Sequence, residues 1–264
     1  MMRLGIIGLA CLLFAQAGSA VAGPMQSLTF PLRGKTLSLA VYRPTGTPKG
    51  TIIMAGGDVG WVGLAVSLAE FLSDRGFIVI GLNTRQYLTA FTSGKIHMDT
   101  LHPPADYAAL HEFLVQQQLI HRPVVLSGVS EGAALAVLAG SLEHNHRWVD
   151  GVITMGTPMI AELAWRWTDF TTWITKKDAN EPSFSPLDFI AKVSPVPLAM
   201  IQSTRDEYVP EADYRKLDAA ARAPKRLVLI PAANHRFTDK QTELRAEVLA
   251  ALAWMTELIA KQTK

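Results

Sequence analysis

Short apolar runs recur along the chain, separated by longer stretches whose apolar residues return every three or four positions. A continuous apolar run of roughly 4–8 residues is typical of a parallel strand that is buried on both faces. Strands that alternate with helices predict a mostly parallel sheet covered by helices on both sides. The predicted parallel strands are Thr51–Ala55, Phe77–Leu82, Val124–Leu126, Asp150–Met155, Leu198–Gln202 and Arg226–Ile230.

Two further patterns complete the expected secondary structure. Apolar and polar residues alternate over Ser27–Leu32 and Lys35–Tyr42, and the Arg33-Gly34 pair between them predicts an antiparallel hairpin. Amphipathic or small-residue stretches predict the helices. These helices are Trp61–Asp74, Pro103–Gln118, Glu131–Ala139 and Lys240–Lys261.

The turn after the third parallel strand contains the pattern Gly-x-Ser-x-Gly, from Gly128 to Gly132. Such a turn forces its central residue, Ser130, into strained backbone angles and lifts the hydroxyl clear of the sheet edge. Glycine is needed at both flanking positions because a Cβ atom there would crowd the turn. We interpret Ser130 as a nucleophile at a helix N-terminus, where developing negative charge is favoured. The alternative is a glycine-rich turn with a solvated serine.

Two polar segments follow the fifth and sixth parallel strands. The first contains Asp206 and the second contains His235. Parallel strands end at one edge of a sheet, so both loops share an edge with Ser130. A serine nucleophile needs a base that takes its proton and an acid that orients the base. We therefore predict a triad of Ser130, Asp206 and His235, with Glu207 as the other candidate acid; a turn-forming aspartate and an ordinary loop histidine are the alternatives.

Acyl transfer also needs N–H donors that hold the oxyanion of the intermediate. One expected donor is the backbone N–H of Glu131, directly after the nucleophile. The other should come from the loop after the first parallel strand, which is occupied by Gly56–Gly60. We expect the N–H of Asp58 to be this donor, with Gly57 as the alternative. No Gly-Lys-Ser/Thr follows, so the loop does not match a phosphate-binding loop.

These motifs resemble those of the α/β-hydrolase superfamily over essentially the whole chain after residue 22. The resemblance implies a mostly parallel central sheet flanked by helices, with a small cap insertion. Within the superfamily, the segments Gly57–Trp61 and Gly81–Tyr87 are similar to signature segments of VirJ-like bacterial virulence proteins. The chain departs from that branch at Val59, where another glycine is usual, and at Leu88-Thr89, where a further aromatic pair is usual. Dienelactone-hydrolase-like esterases are equally similar.

The resemblance to the VirJ-like branch also carries functional expectations. That branch is exported to the periplasm, and it includes members that cleave the aminoacyl ester of aminoacylated phosphatidylglycerol. The resemblance therefore implies hydrolysis of an ester, with aminoacyl and acyl lipid esters among the substrates to consider.

An insertion spans about residues 158–194, and insertions at this point of the fold form a cap over the site. Its first part is rich in aromatic residues. One interpretation is that these residues line a pocket for an apolar acyl chain or a lipid ester, or touch a membrane surface. The other is a cap helix with its own packed core. The candidate substrate-binding residues are Trp165, Trp167, Phe170 and Trp173.

Residues 1–22 have the pattern of a secretory signal peptide. Arg3 precedes an apolar run, and Ala20-Val21-Ala22 forms a small-x-small cleavage site, so that residues 23–264 would form the hydrolase domain. The run is too short for an ordinary membrane span, although an uncleaved anchor is an alternative. The single cysteine of the chain, Cys11, lies in this segment. A mature chain without disulfides suits a periplasmic or secreted bacterial protein.

The charge and the histidines of the chain exclude some classes of function. The formal charge is +2 with 25 basic and 23 acidic residues, and no basic stripe indicates a nucleic-acid partner. His144 and His146 lack the nearby set of carboxylate or cysteine ligands that a metal site needs, so we expect neither a metal nor another cofactor. We therefore expect an exported serine hydrolase that cleaves a carboxylic ester. A peptidase or amidase with the same triad and a non-catalytic envelope or secretion-associated binding protein are the alternatives.

Overall fold

The structure is a computed structural model that describes residues 24–92, 98–165 and 182–262. Its strands are β1 (Gln26–Leu32), β2 (Lys35–Tyr42), β3 (Gly50–Ala55), β4 (Phe77–Leu82), β5 (Val124–Val129), β6 (Gly151–Met155), β7 (Ala161–Glu162), β8 (Ser183–Phe184), β9 (Leu198–Ser203) and β10 (Lys225–Ile230). Eight of them form one sheet in the order β1-β2-β4-β3-β5-β6-β9-β10. β2 is antiparallel to both β1 and β4, whereas the other neighbouring pairs are parallel.

Helices cover both faces of this sheet. The helices are α1 (Leu64–Asp74), α2 (Thr84–Phe91), α3 (His102–Gln116), α4 (Glu131–Gly140), α5 (Glu211–Ala220) and α6 (Gln241–Gln262). The predicted hairpin and all six predicted parallel strands are present, with ends that differ by at most a few residues. The predicted mostly parallel sheet flanked by helices is therefore confirmed.

Alternate residues of the central strands enter two separate cores. Ile53 and Leu126 pack in a cluster with side chains of α3 and α4. Ile52 and Val125 point to the opposite face and pack with α1 and α6. Because both faces are buried, these strands are continuous apolar runs in the sequence.

Helix α1 begins at Leu64 rather than at the predicted Trp61. Trp61 belongs to the preceding loop, where its indole packs against the bare backbone of Gly81 and its Nε1 donates a 3.2 Å hydrogen bond to Tyr42 Oη. A Cβ atom at residue 81 would overlap this ring. Gly63, with φ of 58°, then turns the chain into the helix. Trp61 therefore fits the apolar period of the helix in the sequence, although it is a half-buried loop residue that packs on Gly81.

Two helices, α2 and α5, are not predicted from the apolar pattern, because they are short and largely polar. Their start signals are nevertheless present. Asn83 caps α2, since its Oδ1 accepts a 3.0 Å hydrogen bond from the N–H of Gln86. Helix α5 follows Pro210 and carries Glu211 and Asp213 in its first turn, where acidic side chains are favourable.

The predicted insertion contains a small second sheet. β7 and β8 pair antiparallel, with Ala161 opposite Phe184, and the 3-10 helices Pro186–Asp188 and Ile190–Val193 follow. Residues 166–181 of the insertion and the predicted signal peptide lie outside the described residues. Among the helices that are described, none is long and apolar enough to cross a membrane.

We predict that Gly132→Ala destabilises the protein, although alanine is ordinarily the better helix former. A Cβ atom at residue 132 would overlap the backbone carbonyls of Ala55 and Gly56 at the end of β3. Backbone cannot rotate away, so we expect a loss of about 1–3 kcal/mol in the free energy of unfolding, measured in urea. Gln116→Ala, at an exposed position of α3, is the control and should stay within about 0.5 kcal/mol. A more stable Gly132→Ala variant would contradict this packing.

Candidate active site

Ser130 occupies a strained turn between β5 and α4. Its backbone has φ of 54° and ψ of −122°, a region that residues with a side chain rarely adopt. The N–H of Ser130 donates a 2.9 Å hydrogen bond to the carbonyl of Met155 at the end of β6. The predicted strand, sharp turn and helix thus surround Ser130, and its side chain is half-buried at the carboxyl edge of the sheet.

The glycines of the turn are required by close backbone packing. A Cβ atom at Gly128 would overlap the carbonyl of Gly132, and one at Gly132 would overlap the carbonyl of Gly56. A Cβ atom at Gly57 would lie 3.5 Å from the Cβ of Ser130. The loop after β3 therefore lies directly against the nucleophile candidate.

His235 and Asp206 meet above this edge. The Nδ1 atom of His235 lies 2.7 Å from Oδ2 of Asp206, and the two side chains are 9% and 0% exposed. Glu207, the other candidate acid, instead accepts a 2.8 Å hydrogen bond from the backbone N–H of His235. Asp206 therefore contacts the imidazole, and Glu207 holds the backbone of the same residue.

Hydrogen bonds to both oxygens keep Asp206 ionised. Oδ1 accepts 2.9 Å hydrogen bonds from the N–H groups of Tyr208 and Val209, and Oδ2 accepts from the side chain of Gln202 at 2.8 Å. Burial alone would raise the pKa of Asp206, but His235 and the two backbone donors together hold that pKa below its ordinary value. Asp206 is therefore a carboxylate at neutral pH.

Gln202 is a site residue that the sequence reading missed. It is 3% exposed and lies on β9, four residues before Asp206. A polar side chain at the carboxyl end of an otherwise apolar strand was the available signal. Its amide fixes the orientation of the carboxylate that faces His235.

The imidazole of His235 rests on the backbone of Gly156. A Cβ atom at Gly156 would lie 2.5 Å from Cε1 of His235 and 3.3 Å from Nε2. The residue before it, Met155, accepts the hydrogen bond from Ser130, so one dipeptide contacts both Ser130 and His235. Nε2 is buried and has no hydrogen-bond partner within the described residues, so it makes no hydrogen bond to Ser130 Oγ here. Such bonds are often long in unliganded enzymes and tighten when substrate binds.

The predicted oxyanion donors lie on two sides of Ser130. Glu131 begins α4 directly after it. On the other side, Gly57–Gly60 form a tight turn closed by a 2.9 Å hydrogen bond from the N–H of Gly60 to the carbonyl of Gly57. Asp58 lies at the exposed centre of this turn, while Gly57 packs against Ser130. Both candidates for the second donor therefore lie on this turn beside Ser130.

The Glu131 side chain carries the most perturbed carboxyl group around Ser130. Burial, followed by the negative charge of Glu162, raises the pKa of Glu131 to about 8. Asp58 adds to this rise, whereas a hydrogen bond from the N–H of Glu162 opposes it. Glu131 therefore keeps its proton at neutral pH.

A groove adjoins the turn after β3 and has a volume of about 420 Å³. It is joined to that turn through Asn83, whose side chain packs against Gly60. Its lining residues are Asn83, Arg85, Gln86, Thr89, Ala90 and Trp165.

Trp165 is the one predicted cap residue within the described part of the chain. Its ring lies 3.9 Å from the guanidinium carbon of Arg85, and its N–H donates a 3.3 Å hydrogen bond to Thr92 Oγ1. Trp165 is half-buried, so it both packs against the core and lines the groove. The other candidates, Trp167, Phe170 and Trp173, lie outside the described residues. Over the ranges that the structure describes, no three histidine, cysteine or acidic residues are placed to hold a metal ion.

Solved structures of hydrolases share this fold. The esterase domain of a Rhodothermus marinus protein is 21% identical, with a TM-score of 0.61 over 88% of this chain and 98% of its own. Est1E from Butyrivibrio proteoclasticus is 15% identical, with a TM-score of 0.64 over 89% of this chain and 99% of its own. A candidate dienelactone hydrolase from Klebsiella pneumoniae is 15% identical, with a TM-score of 0.67 over 90% and 99%. Identities this low show a common fold and no more.

Sequence comparison shows the family. YfhR from Escherichia coli K12 is 38% identical over 69 residues, a match that covers 25% of this chain and 24% of YfhR. The chain thus matches about a quarter of the length of this curated relative. The model of the prolyl oligopeptidase family matches residues 65–262, which include Ser130, Asp206 and His235. The chain therefore belongs to the prolyl oligopeptidase family and has the α/β-hydrolase fold.

Proposed function

We propose that the chain is an exported serine hydrolase that cleaves a carboxylic ester through an acyl-enzyme. The observation that carries the proposal is the 2.7 Å contact between His235 Nδ1 and Asp206 Oδ2, at the same edge as the strained Ser130 turn. A buried histidine paired with an ionised carboxylate is the arrangement that activates a serine.

The roles follow from these contacts. Ser130 Oγ attacks the substrate carbonyl while His235 Nε2 takes the hydroxyl proton, and His235 then gives that proton to the leaving alcohol. Asp206 holds the ring and stabilises the imidazolium. The N–H of Glu131 and that of Asp58, or of Gly57 in its place, stabilise the oxyanion. Water then attacks the acyl-enzyme by the same route and frees Ser130.

The substrate class is inferred from the groove beside the turn after β3. Trp165 offers an aromatic face, and Arg85 and Asn83 offer polar groups on the same lining. Such a groove fits an ester with an apolar and a polar part, such as an aminoacyl or acyl lipid ester, which is also the expectation from the VirJ-like resemblance. We further propose peripheral contact with a membrane surface, where such esters reside.

Peptide or amide hydrolysis is the second candidate, because the chain belongs to the prolyl oligopeptidase family. The same triad could cleave an amide. Comparing a p-nitrophenyl ester with a proline p-nitroanilide on one preparation distinguishes the two functions. Faster turnover of the anilide would replace the ester proposal with the peptidase.

Our central prediction is that Ser130→Ala abolishes hydrolysis while the protein stays folded. The triad acts as a unit, so we expect a loss of about 10⁴-fold or more in kcat, and His235→Ala should be similarly impaired. A fluorophosphonate probe should label the wild type and fail to label Ser130→Ala. Because residue 130 has a positive φ, circular dichroism and melting temperature must confirm that the variant is folded.

The same variant series separates the two candidate acids. Asp206→Asn should be severely impaired, whereas Glu207→Gln should be mild because Glu207 contacts only the backbone of His235. Neither change should add much to Ser130→Ala. The reverse order of effects would assign the acid to Glu207, and near-normal turnover by Ser130→Ala would remove the mechanism.

We also predict that Trp165→Ala raises KM selectively for long-chain esters. Losing an aromatic face of the groove should weaken the binding of a long-chain ester about tenfold relative to an acetate ester, equivalent to about 1.4 kcal/mol. The matched control is Trp254→Ala, since Trp254 is also half-buried under an arginine, with Arg226 4.4 Å from its ring, but lies on α6. Equal effects on short and long esters, with a lowered melting temperature, would leave Trp165 as core only.

The proposed export of the protein can be tested separately from its activity. The protein should be found in the periplasm with its N-terminus near Gly23, because the segment before it has a basic start, an apolar run and a small-x-small site. N-terminal sequencing of the fractionated protein measures this. An intact Met1 in a soluble cytosolic fraction would contradict it.

A further inference from the structure

The side chain of Glu131 has no task in the mechanism above, yet it belongs to the residue that directly follows Ser130. Its backbone supplies a proposed oxyanion donor, and its Oε2 accepts a 3.2 Å hydrogen bond from the N–H of Glu162. Glu162 belongs to β7, the first strand of the insertion. The Glu131 carboxyl group therefore links the start of α4 to the first strand of the insertion.

Acidic groups face Glu131 from two other elements. The negative charges of Glu162, on β7, and of Asp58, on the turn after β3, both act on the Glu131 carboxyl group. Burial of the carboxyl group, followed by these neighbouring charges, raises the pKa of Glu131 to about 8, so the carboxyl group keeps its proton at neutral pH. The residue that supplies a proposed oxyanion donor therefore carries a carboxyl group that is neutral at neutral pH, and two other acidic residues act on it.

We propose that Glu131 is a positioning residue whose side chain must stay neutral for the oxyanion donors to work, so that its ionisation slows catalysis at alkaline pH. This inference rests on the proposed serine hydrolase function. Negative charge develops on the carbonyl oxygen during attack, and preorganised donors stabilise it. A carboxylate on the residue that supplies a donor would repel that charge, and the repulsion is stronger at a partly buried position than in bulk water.

The test follows the rate of Ser130 labelling by a fluorophosphonate against pH. In the wild type the rate should fall about tenfold between about pH 7 and pH 9.5, as Glu131 ionises next to the forming charge. Each variant is compared with its own maximum, so that a change in overall rate does not matter. Glu131→Gln should show no alkaline fall, and Glu131→Ala serves as a second neutral variant if Glu131→Gln folds poorly.

Two controls isolate the charge at this position. Glu131→Asp keeps a carboxyl group and should keep an alkaline fall. Glu143→Gln changes an exposed glutamate beyond the opposite end of α4 and should behave as the wild type.

The melting temperature gives a readout that does not depend on catalysis. Unfolded Glu131 loses its proton near the ordinary pKa of 4.5, whereas the folded protein keeps it up to about pH 8. Between these values the folded state binds more protons, so the free energy of unfolding falls as pH rises. The melting temperature of Glu131→Gln relative to the wild type should therefore increase across this window, and that of Glu143→Gln should not.

The outcomes separate this inference from the function on which it rests. If Ser130 is labelled and the profiles of the wild type and Glu131→Gln superimpose above neutral pH, the role of Glu131 is wrong and the hydrolase proposal stands. If the wild type is not labelled at any pH, the hydrolase proposal fails and this inference falls with it.

Discussion

The arrangement at the carboxyl edge of the sheet depends on one contact, which is the close packing of backbone against backbone at the Ser130 turn. The carbonyls at the end of β3 press against Gly132, and the Gly132 carbonyl presses against Gly128. Two strands and one helix therefore meet without any side chain between them. This contact also places the loop after β3, because Gly56 leads directly into Gly57, which lies against Ser130. A strained φ persists at Ser130 because its surroundings leave it no alternative.

The order of strands in the sheet explains how the remaining groups reach that turn. β5, β6, β9 and β10 are neighbours in that order, so the loop carrying His235 follows an edge strand and lies farthest from Ser130. Its imidazole must extend back past β9, whose following loop supplies Asp206. It crosses the end of β6 at Gly156, where a side chain would occupy the same space. The absence of a Cβ at one residue thus lets the imidazole of a distant loop extend toward the Ser130 turn.

The sequence predicts those parts of this arrangement that follow from the apolar pattern of each segment and from the common direction of the parallel strands. Apolar runs identify the strands, and parallel strands bring Ser130, Asp206 and His235 to one edge whatever their distance along the chain. The role of Gly156 could not be read in advance, because it depends on which strands are neighbours. The signal for Gln202 was a polar side chain at the end of an apolar strand, and its partner Asp206 lies only four residues away. Trp61 was misplaced in a helix since an indole buried on Gly81 is indistinguishable, in sequence, from one on a helical face. Helices α2 and α5 were missed because capping residues, rather than apolar periodicity, mark them.

The site combines features that each oppose folding. A serine with positive φ costs about 1–3 kcal/mol, and a buried Nε2 without a partner adds a desolvation penalty. A carboxyl group that must hold its proton beside two other acids adds a third cost, which grows as pH rises from the ordinary pKa of Glu131 to its raised value. All three lie at the carboxyl edge of a sheet whose central strands are buried on both faces. Rigid packing beneath the edge allows the strained backbone of Ser130 and the unpaired Nε2 of His235 to persist at the edge itself.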